Sequence, residues 1–152
     1  MISRVIRAGL VCAALSASAP AAAQTYDGAR IYVIDGDTVR LPGGEIVRLH
    51  AIDAAEIGGA RCEAELTRGL AAKARLRALL NGEAAMLTRC EPATGRCVDR
   101  YGRTLGALAT RAGDVAQILI AEGHALPWRA GAAAAASRRS QWCGPGKDGG
   151  PR

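Results

Sequence analysis

The stretch from Val33 to Glu56, VIDGDTVRLPGGEIVRLHAIDAAE, constrains the fold of this chain more than any other segment. Residues with β-branched side chains lie on both sides of the turn Leu41–Gly44, which predicts a hairpin of strands at 38–41 and 45–52, after an earlier strand at 29–34. Acidic residues flank this hairpin: Asp35 and Asp37 before it, and Asp53 and Glu56 after it. Pairing of the two strands would bring both acidic ends to one edge of a sheet.

Carboxylates gathered at one edge repel one another unless a positive charge compensates them, and a hard divalent cation is the usual partner. Arg48, in the second hairpin strand, adds a guanidinium whose fork suits a phosphate. Oxygen ligands without a thiolate or an imidazole favour Ca²⁺ over Zn²⁺. An EF-hand loop starting at Asp35 is excluded, because its twelfth position is Ile46 and not an acid.

The rest of the chain predicts further strands around one long helix. The pattern favours a helix from Cys62 to Leu80, with an apolar face near Leu66, Leu70, Leu76 and Leu80. Asp114 is expected to cap a second helix that Gly123 ends. Strands are expected at 83–90, 97–99 and 104–110, and one or two helical turns at 132–136. The predicted fold class is mainly β with helices (α+β), an OB-type five-stranded β-barrel with two or three helices.

The two ends of the chain differ in composition from its middle. Arg4 and Arg7 precede an apolar run at 8–15, and small residues precede Gln24, which predicts a signal peptide at 1–23. The apolar run is shorter than the ~20 residues that a membrane span needs. We therefore predict one domain at 24–143, a disordered tail at 144–152 and export to the periplasm or beyond, with no membrane attachment after cleavage. Without the two arginines the formal net charge falls to about +4, which permits a polyanionic partner.

Four cysteines follow the predicted cleavage site: Cys62, Cys90, Cys97 and Cys143. An even set in an exported protein favours two disulfides, and four cysteines allow three pairings. Cys90 and Cys97 flank a turn-rich hairpin tip, which favours a bridge between them and leaves Cys62 with Cys143. A zinc site is the alternative, but no CxxC or HxxxH spacing supports it.

Three motifs, in this order and spacing, resemble those of the thermonuclease family, the staphylococcal-nuclease-like proteins. They are DGDTVRL at 35–41, VRLHAIDAAE at 47–56 and DRYGR at 99–103, and the resemblance covers residues 29–128. It implies an OB-type five-stranded barrel packed with helices. It also implies calcium-dependent hydrolysis of phosphodiesters in DNA and/or RNA to 3′-phosphate products. We expect a monomer.

The resemblance assigns roles to eight residues of this chain. The metal ligands would be Asp37, Asp53 and the backbone carbonyl of Ala54. The catalytic residues would be Arg48, Glu56 and Arg103, with Glu56 holding the attacking water. Arg100 and Tyr101 match positions that contact a nucleotide phosphate.

The chain departs from the family pattern in two places. Ala54–Ala55 stands where many members have Thr-Pro or Ala-Pro. We also expect the family's long C-terminal helix to be shortened here and partly replaced by a Cys143 staple. The alternative function is a non-catalytic OB-fold module that binds single-stranded nucleic acid. The complete set of three acids and two arginines argues against that alternative, because a binding module needs no carboxylates that repel its ligand.

Overall fold

The computed structural model describes residues 23–144. Nearly all of the predicted signal peptide and the predicted tail beyond Gly144 lie outside the described residues. The strands are β1 (Gln24–Asp27), β2 (Tyr32–Asp35), β3 (Thr38–Arg40), β4 (Ile46–Leu49), β5 (Ile52–Ala54), β6 (Ala84–Arg89), β7 (Thr104–Thr110), β8 (Gly113–Asp114) and β9 (Ala125–Pro127). The helices are α1 (Glu63–Leu80), α2 (Val115–Ala121) and α3 (Ala132–Cys143), with a 3₁₀ turn at Gly28–Arg30. None of the described helices is long and apolar enough to cross a membrane.

Seven strands form one curled sheet in the order β1-β6-β7-β4-β3-β2, with β8 paired to β7, while β5 and β9 form a separate pair. The edge strands β1 and β2 are consecutive in the chain, so one bent segment joins the two edges of the sheet. With β1 and β2 counted as one bent strand, the main path has five strands. Within residues 23–144 the sheet curls into a half-barrel with three α-helices, which confirms the predicted OB-type α+β class.

The hairpin β3–β4 brings the acidic ends together as predicted. Its register pairs Thr38 with Arg48, so the residue after Asp37 lies opposite the arginine. The Leu49 N–H also donates to the Asp37 carbonyl at 2.8 Å. Asp37 and Arg48 are therefore fixed beside each other by backbone pairing and not by side-chain contact alone.

Several strand predictions are wrong in detail. The predicted strand at 29–34 is the 3₁₀ turn followed by β2, and β1 and β9 were not predicted. The predicted strand at 45–52 is broken after Leu49, because Ala51 adopts a positive φ of 66° and the chain turns to pair β5 with β9. The predicted strand at 97–99 is reduced to one isolated bridge between Val98 and Thr104.

Helix α1 has the predicted bounds, and its predicted apolar face is correct at Leu76 and Leu80, which are buried, but wrong nearer the start of the helix. Leu66 and Leu70 are exposed, whereas the buried positions are Glu65, Gly69, Ala72, Leu76, Leu79 and Leu80. These recur at helical spacing and place small residues towards the acidic turns. A Cβ on Gly69 would lie 2.7 Å from the Ala55 carbonyl oxygen, so α1 contacts the chain next to Glu56 at close range.

Gly69→Ala is therefore expected to destabilise the protein, although alanine is the better helix former by about 1 kcal/mol. The added Cβ meets backbone oxygens that cannot rotate away, and overpacking of this kind costs about 1–3 kcal/mol. Urea denaturation measures the change. Gly43→Ala is the control, because nothing lies within 4 Å of a Cβ at that exposed turn position. A Gly69→Ala variant more stable than wild type would contradict the close packing of α1.

The two later helices match the prediction in part. Asp114 caps α2 as expected, its side chain accepting from the Gln117 N–H at 2.9 Å. Helix α3 has 12 residues, so the expectation of one or two turns at 132–136 is corrected. Helix α3 is attached to the domain through Trp142, which is buried, and through Cys143, which is bonded to Cys62. Both residues lie after the alanine run from which the short helix was predicted.

Both favoured disulfides are present, Cys62–Cys143 and Cys90–Cys97. The first ties the end of α3 to Cys62, which is also the N-cap of α1. The second closes the hairpin tip ahead of the DRYGR turn. Because zinc binds the thiolate of cysteine, four cysteines that are bonded in disulfides cannot form the alternative zinc site.

Candidate active site

A groove of about 710 Å³ runs across the acidic edge of the sheet. Its walls come from three parts of the chain: the two acidic turns, the 96–103 segment and the segment that enters α3. Seven of the eight residues with predicted roles line it: Asp37, Arg48, Asp53, Glu56, Arg100, Tyr101 and Arg103. Residues from Asp35 to Arg138 thus converge on one surface.

Asp37 lies at the buried end of the groove. Its Oδ2 accepts from the Ala54 N–H at 2.8 Å and pairs with Arg48 Nη2 at 2.9 Å, and its Oδ1 accepts from the Thr38 hydroxyl at 2.9 Å. Burial raises the pKa of Asp37, while Arg48, the Ala54 N–H and the Thr38 hydroxyl act in the opposite direction. The carboxylate is therefore held in one orientation by three donors from both sides of the hairpin.

Arg48 bridges the two predicted metal carboxylates. The same Nη2 that contacts Asp37 lies 3.1 Å from Asp53 Oδ1, while Nη1 donates to the Leu49 carbonyl at 2.7 Å. Both oxygens contacting Nη2 lie within about 6 Å of each other, since each is close to 3 Å from that atom. The guanidinium thus holds together two acids that would otherwise repel each other.

Glu56 lies at the open side of the groove. The Glu56 side chain is exposed to solvent, but the groove walls around it partly desolvate its carboxyl group. This desolvation, and then the charges of Asp35, Asp37 and Asp53, raise the pKa of Glu56, and Arg48 opposes them. A carboxyl in this setting is a better proton acceptor than an isolated glutamate.

The DRYGR turn supplies the opposite wall. Asp99 Oδ1 accepts from the Tyr101 N–H at 2.8 Å and the Arg103 N–H at 3.0 Å, and its Oδ2 accepts from Arg103 Nε at 2.7 Å. Burial acts to raise the pKa of Asp99, but these donors outweigh it and the pKa lies below its usual value. The guanidinium carbons of Arg100 and Arg103 lie 4.7 and 5.4 Å from the centre of the exposed Tyr101 ring. Asp99 therefore braces this turn and presents two arginines and a tyrosine to the groove.

Ala54 differs from the other predicted site residues. It is buried in β5 opposite Ala125 of β9, it does not line the groove, and its N–H is the donor to Asp37. Its role as a carbonyl ligand remains a prediction.

Arg138 is the residue of this site that sequence reasoning missed. Its Nε lies 2.7 Å from Asp53 Oδ2, and its Nη1 donates to the Arg129 carbonyl at 2.9 Å. The sequence did contain one indication that Arg138 faces the domain. It lies four residues before Trp142, and residues four apart share one face of a helix. A predicted helix docked through Trp142 would have turned Arg138 towards the domain.

The donor set fits a hard cation such as Ca²⁺. It consists of carboxylate oxygens with neither imidazole nor thiolate among the predicted ligands, and each carboxylate is oriented by donors. Within residues 23–144, no three acids of the groove bring oxygen atoms within 4.8 Å of one another. An ion at this edge would thus depend on few side chains, with waters completing the 6–8 ligands that Ca²⁺ takes.

The family model of the staphylococcal nuclease homologues matches residues 46–141. This is more than half of the chain, and the protein belongs to that family. The matched segment contains Arg48, Asp53, Glu56, the DRYGR turn and Arg138, whereas Asp37 lies before it. No curated protein sequence matches the chain.

Proposed function

We propose that this protein is an exported, calcium-dependent nuclease that hydrolyses phosphodiesters of DNA and/or RNA to 3′-phosphate products, acting as a monomer. One observation carries the proposal: Arg48 links Asp37 and Asp53 within 3.1 Å, in the same groove as Glu56 and Arg103. Membership of the nuclease family supports the reaction class. Two disulfides are compatible with the oxidising compartment that an exported protein meets.

Asp37, Asp53 and the Ala54 carbonyl would hold the cation. Bound Ca²⁺ would supply positive charge beside the scissile phosphate, where negative charge develops during the reaction. Asp37 is suited to this role because its three donors fix the carboxylate before any ligand arrives. Asp53 is the less buried of the two acids and faces the groove.

Glu56 would orient a water molecule and accept its proton as the water oxygen attacks phosphorus. The P–O5′ bond then breaks, the 5′ oxygen takes a proton from solvent, and the phosphate stays on the 3′ side. The raised pKa of Glu56 suits this task, because a stronger base accepts the proton more readily.

Arg48 and Arg103 would donate to the phosphate oxygens, which gain charge in the transition state. Each guanidinium is held by a carboxylate, Arg48 by Asp37 and Asp53 and Arg103 by Asp99, so little ordering is needed when the phosphate arrives. Arg100 and Tyr101 would contact the neighbouring nucleotide from the exposed turn. Tyr101 is 67% exposed, which leaves it accessible to the phosphate of a bound nucleotide.

The test is cleavage of denatured DNA and of RNA by the oxidised protein in Ca²⁺, in Mg²⁺ and in chelator, with end-group analysis of the products. We expect cleavage in Ca²⁺ that stops in chelator, and products that accept a 5′ label without prior dephosphorylation and carry 3′-phosphates. The Asp37→Asn variant should require far more Ca²⁺ for half-maximal cleavage. Intact polynucleotide that is retarded on a gel by folded protein would instead establish the binding module.

A further inference from the structure

Asp53 is held by two arginines from different parts of the chain. Arg48 Nη2 lies 3.1 Å from its Oδ1, and Arg138 Nε lies 2.7 Å from its Oδ2. The Arg138 side chain is only 12% exposed, so this pair is shielded from bulk water more than a surface ion pair is. The predicted metal ligand therefore already carries a second positive charge, supplied by α3.

Arg138 is held in place by the end of the chain that surrounds it. Its Nη1 donates to the Arg129 carbonyl, in the segment that leads into α3. Four and five residues further on, Trp142 is buried and Cys143 is bonded to Cys62. The guanidinium is thus anchored on both sides, and its contact with Asp53 is part of the folded domain.

We propose that Arg138 is a positioning residue that fixes the Asp53 carboxylate before the cation binds and lowers the affinity of the site for that cation. The inference rests on the proposed calcium site. A guanidinium at 2.7 Å compensates the Asp53 charge and repels a divalent ion brought to the same carboxylate. Arg138 therefore orders the Asp53 carboxylate in the metal-free protein and, at the same time, weakens the binding of the cation.

The test measures Ca²⁺ affinity by calorimetry and the melting temperature in chelator, for the oxidised full-length protein and three variants. Arg138→Gln removes the charge at the contact, and Arg138→Lys retains it. Arg139→Gln makes the same charge change one residue away, at a side chain that does not line the groove. Neither readout depends on nuclease activity.

We expect Arg138→Gln to bind Ca²⁺ about tenfold more tightly than wild type and to melt at a lower temperature in chelator. Arg138→Lys should bind within about threefold of wild type, as should Arg139→Gln, because both leave a positive charge near Asp53. If wild type binds Ca²⁺ and Arg138→Gln binds it equally or more weakly, Arg138 does not limit the affinity and the inference is wrong while the calcium site stands. If neither wild type nor Arg138→Gln binds Ca²⁺, the calcium assignment fails, and the inference fails with it.

Discussion

Replacing Glu56 with glutamine is expected to slow cleavage of denatured DNA in Ca²⁺ by about 10²–10⁴-fold, the usual contribution of a positioned general base. The amide has nearly the same shape but cannot accept the proton of the attacking water. Initial rates at saturating Ca²⁺ measure the effect. The Glu56 carboxyl is exposed, makes no hydrogen bond within residues 23–144 and is repelled by Asp35, Asp37 and Asp53, so its replacement should not lower the melting temperature.

Glu63→Gln is the matched control for this prediction. Glu63 is also exposed and also close to the start of α1, but it does not line the groove. Its replacement removes the same charge and should leave the cleavage rate within about twofold of wild type, since salt screens the interaction of an exposed charge with groups that it does not contact. Equal rates for the two variants would show that Glu56 has no special part in the reaction.

Replacing Cys62 with serine is expected to have the largest effect on stability. The Cys62–Cys143 bridge spans 81 residues, and on the chain-entropy account its loss costs about 4.5 kcal/mol. Cys97→Ser opens a bridge that spans only seven residues, for which the same account gives about 2 kcal/mol. Urea denaturation of both serine variants under oxidising conditions measures the difference.

The comparison between these two variants tests whether the length of the closed loop determines how much each disulfide stabilises the protein. Because α3 docks through Trp142 next to Cys143, the Cys62 variant should also lose protection of α3 from proteolysis before the rest of the domain unfolds. Equal losses of stability would mean that local packing, and not the length of the closed loop, determines what each bridge contributes.

The sequence predicted which residues lie together at the centre of the groove, because the contacts between them are local. The hairpin is specified by its turn residues and by alternation along two strands, and its register alone brings Asp37 next to Arg48. The DRYGR turn is equally local, since Asp99 accepts hydrogen bonds from residues two and four positions later. The favoured cysteine pairing is confirmed for a similar reason, since one bridge joins the two sides of a short turn.

The parts that were missed depend on contacts between distant segments. The predicted apolar face of α1 is wrong at Leu66 and Leu70, which are exposed. The first half of the helix meets the acidic turns through Gly69 and Ala72 instead, where larger side chains have no room. Strand β9 has three residues and forms only by pairing with β5. Arg138 reaches Asp53 across 85 residues of sequence, a contact that no local pattern contains.

The most direct measurement compares wild type and Glu56→Gln in parallel assays of cleavage and of gel retardation on denatured DNA, each in Ca²⁺ and in chelator. We expect wild type to cleave only in Ca²⁺, and the variant still to retard the DNA in Ca²⁺ but to cleave it at least about 10²-fold more slowly. Retardation by both proteins with cleavage by neither would show that the protein binds nucleic acid without hydrolysing it. Equal cleavage by both would place the reaction elsewhere in the molecule.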